Sequence, residues 1–467
     1  MYKKAVTLHA VKYKDKMNSP INDMTTGSPA RHILTFALPL IGGYLLQQLY
    51  LIIDAAIVGQ FIGVNALAAV GSSSSIIFLI LGFCNGCCCG FGIPVAQRFG
   101  AKDYTAMRAF AANAIRLSLV ISVIIMLVTT ILCTYILKMI QTPAEIFKDA
   151  YTFLFIIFLG IPFTFFYNLL SSIIRALGDS KTPFFFLILS SVVNIIIDVV
   201  LIIELRMGVE GAGIATVVSQ GLAGLLCYLY MRKKIPILTP DDNERKWQGD
   251  KVKTLLNYGV PMGLQFSITG IGIIMLQSAN NALGTLYVAT FTVAMRIKYF
   301  FTCVFENLGV AMATYCGQNL GARKIPRVAM GIRSATKMML VYFVFTFAVL
   351  YPFSKELSMI FVSSGETEIL RLSELYMRIS CFFYPVLGLL TIFRYSIQGL
   401  GYSKLAMTSG VCEMVARCAV SLWLIPAVKF LGVCYADPAA WICADLFLIP
   451  AGIYIYHRLK KEYGTIL

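Results

Sequence analysis

The sequence has 467 residues, of which 58% are hydrophobic and only 13% are charged, and its mean hydropathy is +0.78. The apolar residues form long runs from about residue 34 to residue 456, which excludes a soluble globular protein and the short alternating strands of an outer-membrane barrel. The net charge of +16 does not indicate a nucleic acid partner, because the basic residues lie in short connections rather than in a soluble domain. Composition therefore predicts an all-α polytopic membrane protein.

The first apolar run, residues 34–58, is long enough to span a bilayer and contains one carboxylate, Asp54. An ionised carboxylate near the bilayer centre costs about 2.5–3.5 kcal/mol on insertion scales, so its position needs a functional reason. Gln47 and Tyr50 share the helical face of Asp54. We therefore expect this face to point away from lipid and to line a cavity.

Eleven further apolar runs follow, and the set predicts about twelve membrane-spanning helices of the roughly 20-residue class. Five of them lie near residues 66–96, 109–137, 150–174, 182–203 and 211–231. Six more lie near residues 254–279, 286–317, 329–353, 375–393, 405–428 and 432–456. The predicted organisation is a tail (1–28), an N-lobe (29–231), a linker (232–253), a C-lobe (254–457) and a second tail (458–467).

The basic residues indicate the orientation of the chain. One set of helix ends carries most of them, in the N-terminal tail, the linker and the connections that contain Arg98, Lys102, Arg108, Arg175, Lys181, Arg323, Lys324, Arg327, Arg458, Lys460 and Lys461. By the positive-inside rule this set is cytoplasmic, so both termini are expected in the cytoplasm. The basic N-terminal stretch has no apolar core of signal-peptide length, and we expect it to remain as a polar tail.

The two halves of the chain repeat one another. Three landmarks recur at nearly the same offset, namely Gly100 and Gly321 (321 − 100 = 221), Gly178 and Gly401 (401 − 178 = 223), and Pro39 and Pro261 (261 − 39 = 222). Each half has an even number of spans, so both halves enter from the same side of the membrane. This predicts two parallel six-helix repeats, related by an axis along the membrane normal, with a cavity between them.

These motifs resemble the MATE family, the multidrug and toxic compound extrusion transporters, from about Pro29 onward. The resemblance rests on an ordered set of signals: Pro39 and Asp54, the GAK and GAR turns after the second and eighth spans, RALGDSKTP and QGLGYSK after the fourth and tenth, and NIIID at residues 194–198. It implies a V-shaped cavity between two lobes and efflux of amphipathic, often cationic compounds in exchange for Na⁺ or H⁺, without a cofactor. The seventh and tenth spans carry no acid, which resembles the DinF-like rather than the NorM-type branch.

Polar residues of the N-lobe suggest a cation site. Asn194 and Asp198 are spaced i, i+4 on the fifth span, and Thr216 lies in the sixth. Together with Asp54 they would supply hard oxygen ligands for Na⁺, or two carboxylates that share a proton. The resemblance implies that these four residues form the N-lobe cation site. The alternative is a hydrogen-bonded network that only holds the lobe together.

The C-lobe spans carry charged residues whose role the sequence leaves open between mutual ion pairs and substrate binding: Arg296, Lys298, Glu306, Glu413 and Arg417. Glu306 falls opposite Asn85 by the repeat offset (306 − 85 = 221), so we expect it to face the cavity and to contact a cationic substrate. Gln265 and Arg296 complete the candidate cavity residues, together with Gln47, Tyr50 and Asn85.

The sequence thus predicts a monomeric, secondary active antiporter in the plasma (inner) membrane of a prokaryote, which exports amphipathic, cationic drugs or metabolites by alternating access. A flippase for lipid-linked oligosaccharides or lipids is the alternative, because Arg296, Lys298, Arg394 and Arg417 would suit an anionic substrate. An enzyme is not expected, since the sequence has no intramembrane histidine, no HExxH or GxSxG motif and no phosphate-binding loop.

Overall fold

The computed structural model describes residues 21–140 and 142–464, and nearly all of them are helical. The first half forms α1 (Pro29–Ile57), α2 (Val64–Gly100), α3 (Tyr104–Met139), α4 (Ala144–Leu159), α5 (Ile161–Ala176), α6 (Lys181–Asp198) and α7 (Val209–Lys234). A short helix, α8 (Asp242–Arg245), lies in the linker. The second half forms α9 (Gly249–Asn281), α10 (Thr285–Gly321), α11 (Ile325–Ser358), α12 (Thr367–Phe382), α13 (Tyr384–Gly399), α14 (Ser403–Ala419), α15 (Ile425–Val428) and α16 (Phe430–Tyr463).

Ten of the described helices are long and apolar enough to cross a membrane, and two bent pairs bring the number of spans to as many as twelve. The helices α4 and α5 meet at 46°, and α12 and α13 meet at 50°. The apolar composition predicts one run for each pair, and the structure shows a bend inside each run. Pro162 and Pro385 stand in the first turn of the second helix of each pair, where proline is tolerated but cannot continue the preceding helix.

The outer surface of the helices is apolar. Ile131, Val341 and Leu446 have exposed fractions of 72–73%, although such side chains are normally buried in proteins that water surrounds. A bilayer solvates these side chains, and helices satisfy their own backbone hydrogen bonds there. The structure is therefore that of a multi-pass membrane protein.

The helices extend into the segment that the sequence predicts as a linker. Helix α7 continues to Lys234, because its last turn contains three basic side chains that interact favourably with the helix dipole. Helix α9 begins at Gly249 and has Asp250 in its first turn, which is favourable for the same reason. The predicted N-terminal tail lies mostly in residues 1–20, outside the described residues, as do the last three residues of the chain.

The backbone repeats in the same way as the sequence. Left-handed φ angles recur at equivalent positions of the two halves, in the pairs Gly63 (122°) and Gly284 (113°), Lys102 (58°) and Arg323 (57°), Gly178 (87°) and Gly401 (94°), and Gly208 (67°) and Lys429 (54°). The break between α4 and α5 has its counterpart between α12 and α13, and π-helical turns follow both α6 and α14. Each half is therefore one copy of the same six-span unit.

The two halves meet closely at the ends of α2 and α10, which we call the closed end. A Cβ atom on Gly100 would lie 1.9 Å from the carbonyl oxygen of Gln318, and one on Gly321 would lie 1.8 Å from that of Gln97. Only glycine permits backbones to approach this closely. The contact is symmetric, because Gln97 and Gln318 are themselves one repeat apart (318 − 97 = 221), which explains why the glycine turn is present in both halves.

Residues 21–28, the segment before α1, are bound to both halves at the closed end. The backbone N–H of Asn22 donates to the Leu177 carbonyl of the first half at 3.1 Å. Met24 is fully buried, and its N–H donates to Oε1 of Gln318 in the second half at 2.9 Å. The Nε2 of Gln318 in turn donates to the Ala176 carbonyl at 2.9 Å. This segment therefore joins the two halves where they are already in contact.

Candidate functional site

Three helices of the N-lobe bring the predicted cation-site residues together. Helix α1 positions Asp54, α6 positions Asn194 and Asp198 one turn apart, and α7 positions Thr216. Asp54 is 8% exposed, Asn194 1% and Asp198 0%. Two carboxylates are thus buried side by side in a part of the molecule where each charge needs compensation.

The polar groups of this site are ordered by hydrogen bonds. With the Asn194 amide oriented to satisfy both neighbours, its Nδ2 donates to Oδ2 of Asp198 at 3.2 Å and its Oδ1 accepts from the backbone N–H of Thr216 at 3.2 Å. The carboxyl groups of Asp54 and Asp198 lie within hydrogen-bonding reach of each other. The Tyr50 hydroxyl lies beside the Thr216 side chain and close to both acids, so Tyr50 belongs to this site.

One oxygen of each carboxylate has no partner. The Oδ1 atoms of Asp54 and Asp198 are buried and accept no hydrogen bond from any described residue. Neither acid forms an ion pair within the described part of the chain. Buried oxygens without donors are costly, and a proton or a small cation with oxygen ligands would satisfy them. The donor set of two carboxylates, an amide and a hydroxyl therefore fits either a proton or Na⁺.

The C-lobe contains a second buried cluster, but its charges are paired. Asp437 of α16 forms ion pairs with Lys298 and with Arg417, whose Nε lies 3.0 Å from Oδ1 of Asp437. Glu413 accepts from Arg394 and, at 3.3 Å, from NH1 of Arg417. All five residues are at most 5% exposed. We call this set, Lys298, Arg394, Glu413, Arg417 and Asp437, the C-lobe ion network.

Two members of the C-lobe ion network, Arg417 and Asp437, occupy positions that the repeat makes equivalent to residues of the N-lobe cation site. Four equivalences follow from the nearest landmarks: Asp54 and Leu276 (276 − 54 = 222), Asn194 and Arg417 (417 − 194 = 223), Asp198 and Ser421 (421 − 198 = 223), and Thr216 and Asp437 (437 − 216 = 221). The guanidinium of Arg417 thus stands where the N-lobe has a neutral amide. One site holds two unpaired carboxylates, and its counterpart holds a salt bridge.

The predicted cavity residues have different environments. Gln47 and Arg296 are exposed, whereas Tyr50 and Asn85 are half-buried. Gln265 is 4% exposed, and its Oε1 accepts from Nε2 of Gln398 at 2.5 Å, so it lies inside the helix packing.

Glu306 of α10 is a half-buried acid with neighbours from both lobes. The Tyr395 hydroxyl donates to its Oε2 at 3.5 Å, and Arg394 and Glu413 are further charged neighbours. Tyr44 of α1 lies close to it from the N-lobe side. Glu306 therefore connects the C-lobe ion network with the space beside α1.

Sequence reasoning missed two acids of the last span. Asp437 forms ion pairs with both Lys298 and Arg417. The Asp445 carboxyl group is 7% exposed and lies close to Arg394 and Glu413, and its Oδ1 has no partner among the described residues. The signal was available for Asp437, because the repeat offset of 221 places it opposite Thr216. Asp445 had no comparable signal, since its partners come from helices distant in sequence.

Comparison with known protein families identifies the family to which the two lobes belong. The family model described as MatE matches residues 39–200 and, a second time, residues 261–423. The chain belongs to the MATE family. The two matches start 222 residues apart (261 − 39) and end 223 apart (423 − 200), so they reproduce the repeat and begin at Pro39 and Pro261.

Relatives of this MATE chain carry multidrug names. It is 30% identical to the probable multidrug resistance protein YpnP of Bacillus subtilis, over 86% of this chain and 88% of that protein. It is 26% identical to the probable multidrug resistance protein YoeA of the same organism, over 94% and 96%. A solved structure of the outward-facing conformation of a multidrug resistance MATE family transporter matches with a TM-score of 0.88 at 21% identity, over 95% of this chain and 99% of that one. This likeness shows the fold.

Proposed function

We propose that this MATE transporter exports amphipathic, cationic compounds in exchange for Na⁺ or H⁺. The observation that carries the proposal is the pair of buried carboxylates, Asp54 and Asp198, each with an oxygen that has no partner among the described residues. Such a pair favours the uptake of one positive charge, whether a proton or Na⁺. The multidrug names of the relatives support a drug-like substrate.

Helix α1 provides a route from ion binding to movement of the lobes. Its first half packs into the C-lobe core through Phe36 and Ala37, whereas Asp54 in its second half contacts the N-lobe. Pro39 lies within the part of α1 that packs against the C-lobe and removes one backbone hydrogen bond from the helix. Neutralisation of the Asp54–Asp198 pair removes their repulsion, and α1 transmits this change to the interface between the lobes.

The direction of transport follows from the charge of the closed end. Arg98, Lys102, Arg323 and Lys324 lie at the closed end, which by the positive-inside rule places it in the cytoplasm together with both termini. The structure then represents an outward-facing state. Alternating access requires the contacts of Gly100 and Gly321 to separate while the opposite ends of the lobes approach each other.

The substrate is assigned to the space beside α1, between the lobes. Glu306, with the hydroxyl of Tyr395 beside it, offers a carboxylate to a cationic group, and Tyr44 offers an aromatic surface from the facing helix. Gln265 is not included in this proposal because its side chain is occupied by Gln398.

The flippase alternative is less well supported. Three of the four basic residues that would attract an anionic lipid substrate, Lys298, Arg394 and Arg417, already form ion pairs with Glu413 or Asp437. The names of the relatives also refer to multidrug resistance and multidrug export.

Drug resistance of cells that express single variants tests the proposal. Asp54→Asn and Asp198→Asn should each lower resistance to a cationic drug at least tenfold at unchanged protein level. Glu210→Gln is the matched control, because Glu210 is an exposed acid on α7 that forms no ion pair within the described chain, and it should retain resistance. Full resistance in either aspartate variant would overturn the cation-site assignment.

A further inference from the structure

A basic cavity opens between α3, α7 and the linker, far from the cation site. It has a volume of about 380 Å³, and its lining includes Arg116 of α3, Arg232 of α7 and Arg245 of α8. Tyr228 and Thr239 add hydroxyl groups, and no acidic residue is part of the lining. Three guanidinium groups around one space form a site for an anion with several oxygens.

The cavity is held in shape by a docked linker. Glu244 of α8 is 6% exposed and accepts from Nε and NH2 of Arg108, each at 2.7 Å. Burial raises the pKa of Glu244, but the hydrogen bonds from Arg108 outweigh this effect and hold the pKa below its ordinary value. Asn113 of α3 is fully buried and accepts from the N–H of Gln248 at 3.0 Å. These contacts fix the wall that carries Arg245.

The three arginines remain available to a ligand. Arg116 and Arg232 are exposed and form no ion pair among the described residues, although the Arg232 guanidinium lies 5.8 Å from the centre of the Tyr228 ring. Arg245 faces the exposed Asp242 at 3.6 Å, with side chains that are 54% and 98% exposed. Surface pairs of this kind contribute little, so Arg245 can exchange its partner at small cost.

The level of the cavity within the membrane indicates which anion it can bind. Arg116 precedes the exposed apolar residues of α3 by one turn, since Leu119 is 62% exposed. Arg232 follows the last exposed apolar residue of α7 by one turn, since Leu229 is 42% exposed. Trp247 of the linker is 52% exposed, as is typical of aromatic residues at a membrane surface. The cavity therefore lies at the level of the lipid headgroups.

We propose that this cavity binds the phosphate headgroup of one anionic phospholipid. Basic pockets between transmembrane helices recognise such headgroups, and the acyl chains would pack against the adjoining apolar surface of α3 and α7. A soluble phosphate would have the same anionic chemistry but would gain nothing from that apolar surface. Because the linker joins the two lobes, the bound lipid would stabilise the connection about which the lobes move.

Native mass spectrometry of the full chain tests the proposal. Protein released from mixed phosphatidylcholine and phosphatidylglycerol nanodiscs should retain one phosphatidylglycerol. Arg116→Gln and Arg232→Gln should each weaken retention about fivefold, and the double variant about twentyfold. The matched control is Lys337→Gln with Arg458→Gln, which removes two exposed cations from the other lobe; Lys337 is the repeat equivalent of Arg116 (337 − 116 = 221).

The outcomes distinguish a lipid bound in the cavity from a soluble phosphate and from unspecific attraction by surface charge. Loss of phosphatidylglycerol in the cavity variants alone supports the proposal. Equal loss in the control variant, or full retention in the double variant, overturns it. Binding of inorganic phosphate or glycerol phosphate without retention of lipid would assign the cavity to a soluble phosphate instead. Lipid retention does not depend on transport, so the result stands apart from the proposed export function, and a thermal unfolding curve identifies any variant that fails to fold.

Discussion

The two lobes share the same arrangement of helices but differ in how their buried charges are compensated. In the N-lobe, Asp54 and Asp198 lie together with no cationic partner in the described chain. In the C-lobe, the equivalent framework holds Arg417 against Asp437, and Lys298 against the same acid. In the C-lobe, basic side chains thus supply the positive charge that the described N-lobe site lacks. Duplication of one unit thus gave one site whose carboxylates have no cationic partner in the described chain and one site whose carboxylates pair with basic side chains.

The pairing also explains how a membrane protein can contain the buried charges of the C-lobe. A buried ion pair is roughly neutral for stability compared with apolar residues, but removal of one partner leaves the other charge buried and unpaired. The residues of the C-lobe ion network lie on four helices, α10, α13, α14 and α16, so the need to keep each buried charge paired applies to all four. It therefore fixes the mutual arrangement of four helices, a role that needs no transported ion.

The largest predicted effect is on the C-lobe. Arg417→Met removes two charge-assisted hydrogen bonds, one to Asp437 and one to Glu413, and at about 1.5–3 kcal/mol for each we expect a loss of about 3–5 kcal/mol in stability. Asn194→Met, at the equivalent N-lobe position, removes no charge and should cost about 1–2 kcal/mol. Thermal unfolding of both variants in detergent measures the difference. An equal or smaller loss for Arg417→Met would contradict the distinction between the lobes.

A smaller effect is predicted at the closed end, where the lobes are most alike. Gln318→Ala removes two hydrogen bonds, to Met24 and Ala176, whereas Gln97→Ala removes the single bond of its Nε2 to the Gly399 carbonyl at 3.0 Å. At about 1 kcal/mol for each bond, opening should become about thirtyfold more frequent in the first variant and about fivefold in the second.

Hydrogen exchange of residues 22–28 measures this opening directly, because the segment is bound to both lobes at the closed end. Loss of protection should be greater for Gln318→Ala than for Gln97→Ala. Equal protection in both variants would show that the N-terminal segment does not depend on the Gln318 contacts.

Much of the architecture can be predicted from the sequence, because membrane spans and repeats leave strong patterns. The run around Asp54, the i, i+4 spacing of Asn194 and Asp198, and the glycine turns at 100 and 321 each predict what the structure contains. These features are local, or they recur at a fixed offset.

The remaining features depend on contacts between helices that are far apart in the sequence. Lys298 and Asp437 are 139 residues apart, and nothing in the periodicity of either helix indicates that they pair. The cavity at Arg116 likewise needs the linker to fold back onto α3 through Glu244, a contact over 136 residues. The bends after Leu159 and Phe382 were missed because the apolar composition continues across each of them.

The central claim, that the N-lobe carboxylates couple export to an ion, is tested most directly in proteoliposomes. Two gradients are imposed separately, an inward Na⁺ gradient at fixed pH and a pH gradient without Na⁺. One of them should drive export of a cationic dye by the native protein and by the Glu210→Gln control. Asp198→Asn should respond to neither gradient. The responding gradient identifies the coupling ion, and gradient-driven dye movement by Asp198→Asn at the native rate would contradict the account.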